Sequence, residues 1–248
     1  MTQLTLNIDI RRISRWIVWL SALVLVLGYF REAFVARFGT ETIFKDLRHI
    51  ALDTEHCLGS YYSSVLMIIA AALLSVIGQK AVSQRWRVHW YLLAIVFVFM
   101  SLDESVSFHE LLIEPLRPAL AFSSYLHFAW IVPGALFVLS MGLSYIPFVF
   151  ALPPRTRNSM IAAGAIYVTG ALGFEAIGGH FNAIGGFDDP LYIAAFLVEE
   201  TLEVLGLTIF AITLLADLPH HFKASVADTK NRARCSENGC SGVQLEQA

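Results

Sequence analysis

Apolar residues in this chain come in long unbroken runs, without the 3.6- or 2-residue alternation that a helix or strand with one wet face would show. A helix needs about 20 apolar residues to cross roughly 30 Å of hydrocarbon, and six runs between charges reach that length. They predict spans at about residues 16–36, 61–79, 88–112, 123–152, 159–181 and 191–216. The first requires Arg31 and Glu32 to snorkel, and the fourth is interrupted by Pro133 and Pro147. The connections leave no room for a soluble domain. The expected fold class is all-α: a six-helix transmembrane bundle over residues 1–218, followed at 219–248 by a disordered cytoplasmic tail rich in Ser, Asn, Gly and charge.

Composition agrees with this pattern. Of the 248 residues 56% are hydrophobic and 15% charged, about ten points below the charged share of a soluble domain, and mean hydropathy is +0.63. Net charge is −3 with no basic stripe, which argues against nucleic acid as a partner. The cationic residues also set an orientation, because cytoplasmic loops carry the excess of Lys and Arg. With the N-terminus inside, 12 of the 17 fall on the inner side: Arg11, Arg12, Arg15, Lys80, Arg85, Arg87, Arg155, Arg157, Lys223, Lys230, Arg232 and Arg234. Both termini are therefore expected in the cytoplasm. The opening segment has basic flanks and an apolar stretch but no A-x-A-like site after it, so it is expected to stay as an uncleaved anchor. Cys57 lies in an outer loop while Cys235 and Cys240 share the inner tail, so no disulfide framework is expected. No Gly-rich phosphate loop, G-x-S-x-G element or internal repeat is present.

Against this apolar background stand seven carboxylates, Asp103, Glu104, Glu110, Glu175, Glu199, Glu200 and Glu203, with His109, His127 and His180 at or near span ends and no Lys or Arg beside them. A charge at the bilayer centre costs about 2.5–3.5 kcal/mol even on a lenient scale, so these groups must be protonated, bound to cations, or wet. At about 1.5 Å per residue along alternating helices, all of them fall at one level, in the outer leaflet. Asp103, Ser107 and Glu110 form one stripe, and Glu199 and Glu203 stand one turn apart. Glu104 and His109, like Glu175 and His180, are five residues apart and cannot share a face on an ideal helix; Gly178 and Gly179 could supply the distortion. Trp130 and Tyr125, near His127, could line a pocket, but core packing is the favoured expectation. Asp53 and Glu55 are expected in a solvated loop, although a helix start there would bring them within reach of the cluster.

Carboxylates with imidazoles, and no Cys or Met, suit iron, manganese or zinc. Bundle-core di-metal sites use Glu-x-x-His, which this chain lacks; it has Asp-Glu-x4-His-Glu, Glu-x4-His and Glu-Glu-x-x-Glu instead. The candidate ligands are Asp103, His109, Glu110, His127, Glu175, His180, Glu199 and Glu203, with Glu104 and Glu200 as candidate acid/base groups.

Leu52-Asp53-x-Glu55 ahead of Ser63-Ser64, Ser101-Leu102-Asp103-Glu104-x4-His109-Glu110, Pro133-Gly134, Glu175-x2-Gly178-Gly179 and Glu199-Glu200-x2-Glu203 together resemble a group of uncharacterised bacterial polytopic inner-membrane proteins. The resemblance covers most of the chain and implies no activity. The function expected from the residues is a metal-dependent membrane enzyme, a hydrolase or oxidase, acting on a lipid-soluble or lipid-linked substrate that reaches it through the membrane lipid. A proton- or cation-coupled transporter and a structural subunit of a membrane complex remain open alternatives.

Overall fold

The computed structural model describes residues 9–40, 47–52, 57–120 and 123–237, with side chains as far as residue 224. Every regular element among them is helical. Six helices, Ile10–Phe38, Leu58–Lys80, Gln84–Val106, Ile131–Phe150, Pro154–Gly185 and Pro190–Ala224, are long and apolar enough to cross a membrane. The chain is a multi-pass membrane protein.

Local chemistry explains where each helix starts and stops. Helix α1 (Ile10–Phe38) begins on Asp9, whose carboxylate accepts the backbone N–H of Arg12, and ends at Gly39, where φ is 75°. In α2 (Leu58–Lys80), Cys57 and Ser60 cap each other reciprocally. Three residues then turn the chain into α3 (Gln84–Val106), and the two helices pack as a close hairpin.

Helix α3 stops six residues short of the expected 112. Ser107 takes up a left-handed conformation (φ 56°), and a 3-10 turn, Phe108–Leu112, leads into the short α4 (Ile113–Leu120). The fourth crossing starts at Ile131, eight residues after the expected 123, because residues 124–126 form another 3-10 turn. Pro133 therefore falls in the first turn of α5 (Ile131–Phe150), where a missing N–H costs nothing.

The fifth crossing has three segments: α6 (Pro154–Val168), a π-helical stretch Thr169–Phe174, and α7 (Glu175–Gly185). The last crossing is α8 (Pro190–Glu237), opened by Asp189, whose Oδ1 accepts the N–H groups of Leu191 and Tyr192. It runs past Leu218, where the composition turns polar, as a continuous helix. Because the crossings number six, α1 begins and α8 ends at the same end of the bundle, called here the terminal end; the opposite end is the loop end.

The main core fills the terminal half. Leu74, Ile77, Trp90, Phe148, Ala211 and Leu214 are buried there, Phe97 stacks on Phe210 at 4.7 Å, and Trp90 meets Phe148 edge-on at 4.8 Å. Short polar bridges tie the helices together: Ser21 to Thr208 and to Tyr62, each 2.6 Å, and Ser64 to Ser101, 2.7 Å. Outward faces are apolar, with Trp19, Val26, Ile95, Leu136 and Phe150 exposed, as a hydrocarbon solvent allows.

Candidate functional site

At the loop end the bundle opens. A cavity of about 290 Å³ is lined by α3 and its 3-10 turn, the start of α5, the α6–π–α7 crossing and the first third of α8. The seven carboxylates singled out in the sequence, Asp103, Glu104, Glu110, Glu175, Glu199, Glu200 and Glu203, all line it, together with His109 and Tyr167. None of the described residues lining it is Lys or Arg.

Two breaks in helical geometry bring these groups together. The left-handed Ser107 ends α3, so the chain folds back and His109 turns onto the helix it has just left. Asp103 receives both the backbone N–H of His109 and its ring Nδ1, each at 2.9 Å. Glu104 and His109 both line the cavity as a result, which their five-residue spacing would forbid on an unbroken helix. Burial works against a charged His109 ring, but the hydrogen bond and charge of Asp103, with Glu175 and Glu110 nearby, outweigh it and hold the imidazole above its ordinary range.

The second break is the π segment. Residues eight apart lie about 80° from each other on an α-helix, whereas one inserted residue returns them to a common face. Thr169–Phe174 supplies that insertion, so Tyr167, Ala171 and Glu175 all line the cavity. The distortion lies before Glu175, and not at Gly178–Gly179, which sit inside regular α7. Gly170 lets α8 approach: a Cβ there would stand 2.8 Å from the Glu199 carbonyl oxygen and 3.1 Å from Glu203 Cγ. Gly206 has the same role further along α8, where a Cβ would stand 2.8 Å from the Tyr167 backbone.

Within the cavity Glu199 shares a hydrogen bond with Glu175, and Tyr167 bonds Glu203. Two carboxyl groups can share a hydrogen bond only if one carries a proton, and a cation held between them would do the same work. Trp130 donates its indole N–H to Glu175 at 3.1 Å and packs its ring against His109 at 4.7 Å. Trp130 thus lines the pocket, the alternative to the favoured core packing.

Eight of the ten candidate residues converge on the cavity. The other two do not line it. The His180 ring bonds Ser124 at 2.7 Å and stacks on Tyr125 at 4.3 Å, and His127 packs edge-on against Phe128. Burial and the nearby Arg117 charge hold His127 below its ordinary range. Asp53 and Glu55 lie outside the described residues. Among the described residues, no three His, Cys, Asp or Glu side chains stand close enough, as placed, to hold a metal ion. The arrangement is one of pairs, Asp103 with His109 and Glu175 with Glu199, around a common space.

Tyr167 is the site residue that sequence reasoning missed. Its only signal is a tyrosine eight residues before Glu175, and that spacing becomes meaningful only with the π segment in place.

Part of the lining is apolar. Leu52, Ile113 and Phe128 contribute to it, and three rings run in a line from the exposed Phe187 to the buried Tyr192 (5.4 Å) and Phe196 (5.7 Å).

No curated protein and no solved structure matches the chain. The family model for a domain of unknown function, DUF8692, matches residues 17–218, from within α1 to within α8 and including every described residue that lines the cavity, so the chain belongs to that family.

Proposed function

We propose that this protein is a membrane enzyme whose acidic cavity takes up a divalent metal and acts on a lipid-soluble substrate by hydrolysis or oxidation. The observation that carries the reading is the convergence of seven carboxylates and one imidazole from separate helices on a single cavity whose lining is partly apolar. Charges cost too much at membrane depth to be gathered without a cation, protons or water to match them. Glu175, Glu199, Glu203, Asp103 and His109 are the ligand set we propose; two pairs among them, Asp103 with His109 and Glu175 with Glu199, already meet. An ion so held would activate water or oxygen, with Glu104 and Glu200 as acid/base groups beside it.

The setting we propose is a bacterial inner membrane with both termini cytoplasmic, which the Lys and Arg distribution supports. The cavity then opens toward the periplasmic leaflet. A proton-coupled carrier is the competing reading, favoured by the shared Glu175–Glu199 hydrogen bond. The apolar packing of the terminal half, centred on Trp90, Phe148 and Leu214, weighs against it.

Metal content by mass spectrometry, on protein purified in detergent without a metal-affinity tag, tests the reading beside a Glu199→Ala/Glu203→Ala variant. Near-stoichiometric iron, manganese or zinc that disappears in the variant is expected. Folded, chelator-free protein without metal, together with proton flux in liposomes, would overturn it in favour of the carrier.

A further inference from the structure

We infer that Ser124 and His180 form a nucleophile–base pair at the loop end, apart from the acidic cavity, and that the pair hydrolyses an uncharged, lipid-soluble ester. The Ser124 hydroxyl and His180 Nδ1 stand 2.7 Å apart, although 56 residues separate them in the chain. A serine hydroxyl is a weak nucleophile until an adjacent base takes its proton, and an imidazole within hydrogen-bond reach is the side chain best matched to that task near neutral pH.

The base is held in place. Its ring lies on Tyr125 at 4.3 Å, only 5° from parallel, and Phe181 meets it at a steep angle at 5.4 Å. Such clamping fixes the ring plane, which is the work of the third, orienting group in a nucleophilic site. Gly179 makes the approach possible. A Cβ there would stand 3.1 Å from the Phe128 ring and 3.3 Å from His127 Cβ, so the missing side chain lets α7 come close to the 3-10 turn that carries Ser124. That accounts for the Gly179-His180 end of a sequence run from which the cavity takes only Glu175 and Gly178. Ser124 and His180 are half-buried and Tyr125 is 50% exposed, so a substrate at the membrane surface can reach the hydroxyl. The rings around the pair suit an apolar ester.

With the ring proton on Nε2, Nδ1 takes the hydroxyl proton as Ser124 Oγ bonds to the acyl carbon. The carbon–oxygen bond to the alcohol then breaks, and the alcohol leaves with that proton. Water next attacks the acyl carbon and gives a proton to Nδ1, and the serine oxygen takes it back as the free acid departs. One ester and one water are consumed.

The test uses the full chain in detergent micelles with a long-chain fluorophosphonate, whose fluoride an activated serine oxygen displaces from phosphorus. An adduct mapped to Ser124 by peptide mass spectrometry is expected, together with hydrolysis of 4-nitrophenyl butyrate that the same reagent blocks. Ser124→Ala should abolish both. His180→Asn sets an amide near the place of Nδ1, so Ser124 keeps a hydrogen-bond partner that cannot take its proton. Its thermal midpoint should barely move while adduct formation slows by about 100-fold or more. Tyr125→Phe keeps the stacked ring and should react close to the wild-type rate. Folded wild-type protein without an adduct on Ser124, or an adduct that forms as fast in His180→Asn as in wild type, would overturn the inference. The fluorophosphonate reaction needs no metal, so its outcome is independent of whether the acidic cavity holds one.

Discussion

Asp103 holds His109 by two hydrogen bonds at once, accepting the backbone N–H on one carboxylate oxygen and ring Nδ1 on the other, each at 2.9 Å. The bond to the backbone fixes the turn after α3, and the bond to the ring fixes its charge. His109 is held above the ordinary histidine value of 6.5, so its pairing stabilises the fold fully below that pH and fades as pH rises through the raised value. In Asp103→Asn the ring loses its charged partner. The gap in thermal midpoint between wild type and variant should be widest below about pH 6.5 and narrow above it. A gap that does not vary with pH would remove the charge pairing from the account.

Glycines at the crossing of the fifth and sixth spans should be intolerant of even a methyl group. Gly170→Ala drives a Cβ toward the Glu199 carbonyl, and Gly206→Ala drives one into the Tyr167 backbone. Each should lower stability by about 1–3 kcal/mol, through overpacking. Gly164 has nothing within 4 Å of such a Cβ, so Gly164→Ala should instead gain up to about 1 kcal/mol from helix propensity. Thermal unfolding of the three variants in one detergent checks the contrast.

Trp130→Phe keeps a ring against His109 but removes the N–H that Glu175 accepts. Leaving a half-buried carboxylate short of a donor should cost about 1–3 kcal/mol. Any activity should fall further than that loss of stability implies, because Glu175 is freed from its fixed orientation. A Trp130→Phe protein with wild-type stability and activity would return Trp130 to simple packing.

Orientation can be read with the native cysteines. Cys57 is buried and should stay silent toward a membrane-impermeant maleimide. Cys235 and Cys240, after the last span, should be labelled only once spheroplasts are permeabilised. Labelling in intact spheroplasts would reverse the topology and place the cavity mouth on the cytoplasmic face.

Much of this is legible in the residues alone. Six crossings follow from run length, and the common level of Asp103, Glu175 and Glu199 follows from counting along alternating helices. The counting fails wherever the helix itself does. An unbroken 3.6-residue repeat sets His109 far from Glu104, and only the left-handed Ser107, a residue with no strong turn signal, joins them. The repeat likewise hides Tyr167, because nothing in Thr169–Phe174 announces an extra residue per turn. His180 is the converse case. Its spacing from Glu175 suggests a ligand pair, but the register turns it toward Ser124 and Tyr125 instead.

The packed half of the bundle bears on what the acids can sense. Apolar packing around Leu74, Trp90, Phe148 and Leu214 separates the cavity from the terminal end. With the cavity open to one side as proposed, most of an imposed transmembrane voltage should drop across that packing and little of it should act on the carboxylates. Any proton or cation that they exchange would then come from that one compartment, and the protein should behave as an electrode facing a single bath.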